Sequence, residues 1–250
     1  MPDAVRPLIA GNWKMNGLRE TGQALAQTIA KRRPGQACDL LLCPPATLLE
    51  TVGAALTGSG VLLGAQDCHQ EIKGAHTGDI SAAMLADAGC RFVILGHSER
   101  RGEGHGETDA DVAAKVQTAH GEGLVAIVCV GERAAEHAQG ATLTVIESQI
   151  KGSLPEGVTP ENTVIAYEPV WAIGSGRTPT SEEIEAAHQR IRANLGARFG
   201  TPEAFRILYG GSVTAANAPE ILSIDGVNGA LVGGASLDAE AFCKIAESCG

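Results

Sequence analysis

Eight short aliphatic runs recur along this chain, and their spacing restricts its fold more than any other feature. They occupy residues 8–10, 40–43, 61–65, 92–95, 124–130, 163–167, 206–209 and 229–232. Such brief, mostly uncharged stretches read as strands covered on both faces. Alanine-rich segments with helical periodicity lie between them. The clearest starts at a capping box, Thr180 with Glu183, and sets Ile184, Ala187, Ile191 and Leu195 on one face. Near the C-terminus Leu237, Ala241 and Ile245 repeat that spacing. Strand and helix alternating from end to end predict a parallel sheet with helices outside it. Eight such units in 250 residues match a single (β/α)8 barrel, with residues 1–250 as one domain. A doubly wound open sheet is the structural alternative. It is disfavoured because no strand is followed by GxGxxG, and the cluster GEGHG at 102–106 lacks both that spacing and a preceding strand.

Hydrophobic residues make up 44% of the chain but aromatics only 3%, so the core has to be aliphatic. The longest apolar run, 124–130, is far too short to span a bilayer. The opening residues MPDAVRP lack the apolar stretch of a signal peptide, so the cytoplasm is the expected location. The seven cysteines are odd in number, scattered and without a CxxC pair, which fits neither a disulfide framework nor a zinc finger. No HExxH occurs, nor two histidines and a carboxylate at helical spacing, so no metal is expected. A net charge of −10 argues against a nucleic-acid surface, and an anionic substrate then requires a local positive site.

In a barrel of this kind functional groups stand just after the strands, at the C-terminal face. The stretch YEPVWAIGSGRTP at 167–179 places Glu168 where a buried strand meets a loop, and Pro169 biases it toward extended backbone. Beyond it Trp171 and Ile173 sit in a loop whose Gly174 and Gly176 permit a lid-like fold. Taken alone, this stretch favours a solvated carboxylate and a plain turn. After the first strand come Asn12 and Lys14, an amide and an ammonium two residues apart; a lone loop lysine is ordinarily just solvated. After the fourth comes His97, ahead of a helix start, where the helix dipole favours a neutral ring; a surface histidine beside an N-cap Ser98 fits the local pattern equally well. The turns Gly210-Gly211-Ser212 and Gly233-Gly234 follow the seventh and eighth strands, where successive backbone N–H groups can cradle a phosphate, and Gly174 adds another. Carboxylate, imidazole, ammonium and amide around a phosphate site suit proton abstraction beside a carbonyl, with no redox cofactor.

GNWKMN at 11–16, GHSERR at 96–101, CVGE at 129–132, AYEPVWAIGSGRTPT from Ala166, YGGS from Tyr209 and LVGGASL from Leu231 occur together in this order. In these motifs, over essentially its whole length, the chain resembles the triosephosphate isomerase family. The resemblance implies a TIM barrel that interconverts dihydroxyacetone phosphate and D-glyceraldehyde 3-phosphate through an enediolate, in glycolysis and gluconeogenesis, without metal or organic cofactor. It implies Glu168 as base, His97 as neutral electrophile, Lys14 as electrostatic stabiliser, Asn12 as donor to the substrate oxygen and Glu99 as a supporting residue. Gly174, Ser212, Gly233 and Gly234 match the phosphate site. A homodimer is also implied, in which the loop 66–81, opening at Gln66 and closing at Ser81, inserts into the partner and brings Thr77 near the partner's site. His76 stands where relatives usually carry Phe or Tyr, which makes dimer strength sensitive to histidine charge. Ser175 and Arg177 replace the usual Thr and Lys of the lid while keeping hydroxyl and charge. A tetrose phosphate isomerase of the same family and a phosphate-binding barrel without catalysis are the competing readings.

Overall fold

Side chains along each strand alternate between two apolar layers, and this alternation organises the molecule. The computed structural model describes residues 5–32, 37–102, 104–174 and 177–249. In chain order β1 (Leu8–Asn12) precedes α1 (Arg19–Arg32), β2 (Asp39–Cys43) precedes α2 (Leu49–Leu56), and β3 (Leu62–Ala65) precedes α3 (Ala82–Asp87). β4 (Phe92–Leu95) leads into the short α4 (Ser98–Arg101) and then α5 (Asp109–Gly121), and β5 (Val125–Val130) into α6 (Ala134–Ala138) and α7 (Thr142–Ser153). β6 (Thr163–Tyr167) leads to α8 (Ser181–Phe199), β7 (Ile207–Tyr209) to α9 (Ala218–Ser223), and β8 (Gly229–Val232) to α10 (Ala239–Glu247). All neighbouring strands are parallel, and β8 pairs back onto β1, so the sheet is the expected closed eight-stranded barrel. Among the described residues no helix is long and apolar enough to cross a membrane.

One set of alternating positions fills the barrel: Leu8 and Ala10, Leu41 and Cys43, Phe92 and Ile94, Ile127 and Cys129, Val164 and Ala166, then Leu208 and Leu231. The intervening positions, such as Ile9, Leu42, Val93, Val128 and Ile165, face outward and pack under the helices. Each fully buried aliphatic side chain contributes roughly 1.5–3 kcal/mol, which lets a chain with few aromatics hold both layers.

The expected helix over 181–199 forms as read. Thr180 Oγ1 accepts from Glu183 N, the Glu183 carboxylate accepts from Thr180 N, and Ile184, Ala187, Ile191 and Leu195 are buried. Two local expectations are corrected. β1 runs two residues beyond the apolar stretch, because the ladder with β2 continues through Asn12 opposite Cys43, and a polar side chain does not interrupt backbone pairing. Leu237 is not on the C-terminal helix face: it lies in a 3-10 turn (Gly234–Leu237) and is 37% exposed. The Asp238 carboxylate accepts from Ala241 N at 2.7 Å and starts the helix after Leu237, and its buried face is Phe242, Cys243, Ile245 and Ala246.

Closure of the seam depends on a glycine. Gly229 opens β8 with φ +131°, and a Cβ there would lie 2.0 Å from the Leu8 carbonyl oxygen of β1. Gly229→Ala is expected to destabilise the protein by roughly 3 kcal/mol through backbone strain and loss of close pairing, measured as a lowered midpoint in denaturant unfolding.

Candidate active site

Continuing the inward alternation one step past the packed layers reaches the barrel mouth. Asn12 follows Leu8 and Ala10, and Glu168 follows Val164 and Ala166. The corresponding positions after β5, β7 and β8 are Gly131, Gly210 and Gly233, which leave the mouth open. Gly131 admits no side chain, since a Cβ there would fall 1.7 Å from the Glu168 carbonyl oxygen.

Glu168 is 2% exposed, and its backbone N–H donates to the Val130 carbonyl at 2.8 Å, extending β6 by one residue. Its carboxylate accepts from Ser98 N at 2.9 Å and from Ser98 Oγ at 3.1 Å, and lies 3.0 Å from His97 Nε2. Burial pushes this carboxyl up, but the His97 ring and the Ser98 donors overcome it and hold the acid below its usual range. His97, rather than Ser98, is the cap of α4, and its Nδ1 accepts from Glu99 N at 3.2 Å. A ring accepting at Nδ1 carries its hydrogen on Nε2, pointed at Glu168. Burial lowers the ring's proton affinity, and the Glu168 and Glu99 carboxylates more than reverse that, so His97 titrates above its ordinary value while Glu168 stays beside it.

Lys14 adopts φ +53°, a left-handed conformation costing about 1–2 kcal/mol outside glycine. Two side chains hold it there: Asn12 Oδ1 accepts from Lys14 N at 3.0 Å, and Gln66 Nε2 donates to the Lys14 carbonyl at 2.9 Å. Its ammonium lies 2.6 Å from Glu99 Oε1, which places Glu99 between Lys14 and His97. A cavity of about 370 Å³ is lined by Asn12, Lys14, His97, Glu168, Gly174, Ser212, Gly233 and Gly234. The structure therefore gathers every residue singled out at the rim except Glu99, which touches two of them from outside. Ser175 and Gly176 of the lid lie outside the described residues.

Two contributions were not legible in the sequence. Ser98 reads as a helix cap, yet its N–H and hydroxyl both hold the Glu168 carboxylate. Glu132, at the end of CVGE, is fully buried and accepts from Trp171 Nε1 at 2.6 Å and from Tyr167 Oη at 3.3 Å, anchoring the start of the lid. Burial pushes its carboxyl up, and the surrounding donors offset part of that. His137 stacks on Trp171 with ring centroids 4.0 Å apart, and the Arg177 guanidinium lies 4.9 Å above the same indole. A buried glutamate whose partners are 35 and 39 residues away leaves no local signature.

Beside the mouth, in the segment after β3, His69, His76 and Asp79 bring possible metal-ligating atoms within 4.8 Å of one another. His69 Nδ1 already accepts from Glu71 N at 2.9 Å, which puts the ring's hydrogen on Nε2, the atom facing Asp79. That tautomer suits hydrogen bonding rather than ligation.

Fold and site together define a class: a (β/α)8 barrel that gathers a carboxylate, an imidazole and an ammonium in one cavity at its C-terminal mouth. A profile described as triosephosphate isomerase matches residues 7–249. The chain is 56% identical to the triosephosphate isomerase of Afipia carboxidovorans and 55% identical to that of Rhodopseudomonas palustris, each alignment covering 100% of both chains. The crystal structure of triosephosphate isomerase from Bartonella henselae superposes with a TM-score of 0.90 at 48% identity, covering 98% of this chain and 99% of that one. The chain belongs to the triosephosphate isomerase family.

Replacing Glu132 by Ala leaves the Trp171 indole N–H and the Tyr167 hydroxyl without their buried acceptor. The expected cost is about 2–3 kcal/mol in unfolding free energy, with a red shift of Trp171 emission, read against Trp13 as the other tryptophan.

Proposed function

We propose that this protein interconverts dihydroxyacetone phosphate and D-glyceraldehyde 3-phosphate through an enediolate, with Glu168 as the base, as a step of glycolysis and gluconeogenesis. The observation that carries the reading is the shared cavity, where one carboxylate, one imidazole and one ammonium line the same space as three glycine-rich corners. Its volume, about 370 Å³, lies in the range of small-molecule sites.

The phosphate is held by backbone N–H groups at Ser212, Gly233 and Gly234 and by Gly174 of the lid, a neutral cradle that suits a dianion in an acidic protein. The carbonyl oxygen takes over the hydrogen that His97 Nε2 now directs at Glu168, with Lys14 Nζ and Asn12 also beside it. The displaced carboxylate then faces the adjacent carbon and removes its proton, and charge passes to the carbonyl oxygen, where the imidazole and ammonium stabilise it. A proton also passes from the hydroxyl oxygen to the former carbonyl oxygen by way of His97 Nε2, and return of the abstracted proton from Glu168 to the neighbouring carbon then completes the exchange of ketone and aldehyde. Once Glu168 has left its resting place, the contribution that raises the His97 proton affinity is weakened and burial favours the neutral ring. Glu99 positions both Lys14 and His97. Neither metal nor organic cofactor takes part.

The reading includes a homodimer and a cytoplasmic location, with residues 1–250 as one catalytic domain. A second cavity of about 400 Å³ adjoins the first, shares Asn12, Lys14 and His97 with it, and is bordered by Gln66, Asp79 and Glu99. It supports docking of the partner's loop 66–81, with Thr77 at its tip. Met15 at 95% and Ile72 at 54% exposure supply apolar surface for such a contact.

Glu168→Asp is expected to lower kcat by about 10²–10⁴-fold with little change in fold, measured in a coupled assay of aldehyde formation without added metal. Near-normal turnover, or a preference for tetrose over triose phosphate, would overturn the reading. Because the His97 ring and the Ser98 donors hold the folded Glu168 acid below its ordinary value, its carboxylate persists through the usual glutamate range and is lost as pH falls through the depressed value. The acid limb of kcat/KM in the free enzyme is accordingly expected below the usual glutamate range.

A further inference from the structure

Helix α7 turns one long polar side chain toward the barrel. Ile146, Ile150 and Ser153 are its buried positions, and their spacing sets Gln149 on the same face, half-buried. A side-chain amide turned inward needs partners for both its oxygen and its NH2 group. Gln149 finds them on a single residue, Gly131, 18 positions earlier. Its Oε1 accepts from Gly131 N at 2.7 Å, and its Nε2 donates to the Gly131 carbonyl at 3.1 Å.

Unequal strand lengths create the need for this pairing. β4 ends at Leu95, opposite Val128, whereas β5 runs on to Val130 and the chain keeps pairing with β6 beyond that. Glu168 N donates to the Val130 carbonyl at 2.8 Å, and Val170 N donates to the Glu132 carbonyl at 3.2 Å. Successive residues of a strand turn their peptide groups to opposite neighbours, so Gly131, between those two carbonyls, directs its N–H and C=O to the side where β4 has ended. Side chains take over there. Arg101 Nη2 donates to the Cys129 carbonyl at 3.3 Å, and the Gln149 amide serves Gly131 as one further strand residue would.

The bonds matter because a further cavity of about 370 Å³ lies on the α7 side of Glu168, lined by Ser98, Gly131, Arg133, Gln149 and Glu168 itself. Glu168 borders this space as well as the cavity at the mouth, so its place depends on what its backbone is bonded to. Gly131 meets that backbone directly, since a Cβ on it would fall 1.7 Å from the Glu168 carbonyl oxygen. A shift of one moves the other.

We propose that Gln149 is a positioning residue for Glu168: its side-chain amide stands in for the missing stretch of β4, holds the Gly131 peptide groups in register and so fixes the backbone from which the base projects. The proposal rests on the reading of Glu168 as the base of the isomerisation. Proton abstraction from carbon tolerates little displacement, and a misplacement of about 1 Å costs on the order of 100-fold in rate. A side chain that only tethered α7 to the barrel would affect stability and leave the chemical step alone.

Two variants of the full-length protein test this. Gln149→Leu keeps the bulk and removes both bonds, and kcat for dihydroxyacetone phosphate is expected to fall roughly 10–100-fold with KM within about twofold, because the phosphate corners are untouched. Gln149→Glu makes the comparison within one protein, whether or not Gln149→Leu folds. A protonated carboxyl accepts from Gly131 N–H and donates its O–H to the Gly131 carbonyl, whereas an ionised one has only acceptors to set against that carbonyl. The kcat of Gln149→Glu is therefore expected close to wild type at about pH 5, and its ratio to wild type at least about tenfold lower by about pH 8, as the introduced carboxyl ionises. Without substrate, the His97 ring is followed by NMR titration. In Gln149→Leu it is expected to move down toward its ordinary value, because the Glu168 carboxylate that raises it is displaced. An unmoved His97 titration would overturn the proposal, as would variants that melt lower yet turn over at the wild-type rate across that pH range. A wild-type protein inactive on triose phosphates, in which His97 still responds to Gln149→Leu, would overturn the isomerase reading and leave Gln149 as the residue that sets the place of Glu168.

Discussion

Hydrogen bonding of β8 to β1 closes the sheet into a ring, and every feature of the mouth depends on that closure. A closed ring has a limited interior, filled here by aliphatic side chains from alternate positions of the strands. The next layer up cannot be filled in the same way, because four of its positions are glycine (Gly96, Gly131, Gly210 and Gly233) and Asn12 and Glu168 are polar. What results is a recess floored by hydrocarbon and walled by backbone, into which Asn12 and Glu168 project as the last members of their strands' inward series. An open sheet of the same strands would leave these two side chains at unrelated edges.

The electrostatics of the recess follow from its dryness. A carboxylate at 2% exposure needs donors, and Ser98 supplies two while His97 Nε2 supplies a third. All three come from the loop after β4, so that loop and the end of β6 are held together by the group we assign as the base. The arrangement is a resting one in physical terms. In the reaction we propose, a substrate carbonyl accepting from His97 would compete directly with the carboxylate for the same hydrogen, so binding would release the base in one exchange. Lys14 is held in readiness differently, by a left-handed backbone fixed between Asn12 and Gln66.

The two ends of the barrel divide the work. The C-terminal mouth carries strain, buried charge and a lid start pinned by Glu132. The base carries the start of β8, where Gly229 passes close to Leu8, and the end of α10, whose Ala246 carbonyl accepts from Cys38 Sγ.

Much of this was legible because it is local. Eight strands, the capping box at Thr180 and Glu183, and the rim positions of Lys14, His97 and Glu168 follow from periodicities of two and 3.6 residues read against known strand and helix chemistry. The first strand's length was misjudged because hydrogen-bonded pairing, not hydropathy, ends a strand, and Leu237 was misplaced because the Asp238 cap overrides a matching apolar spacing. The family motifs pointed to the residues we assign to the site, but they did not disclose which groups hold them.

The sequence by itself determined the order of elements, the two apolar faces of each strand and the kinds of chemistry available at the strand ends. Only the tertiary structure decided the partnerships: Ser98 with Glu168 across 70 residues, Lys14 with Glu99 across 85, and Trp171 with Glu132 across 39. The reason is physical. Periodicity records which way a side chain points relative to its own backbone, whereas a hydrogen bond or an ion pair requires two backbones to be placed within a few ångströms, and closure of the ring sets that placement.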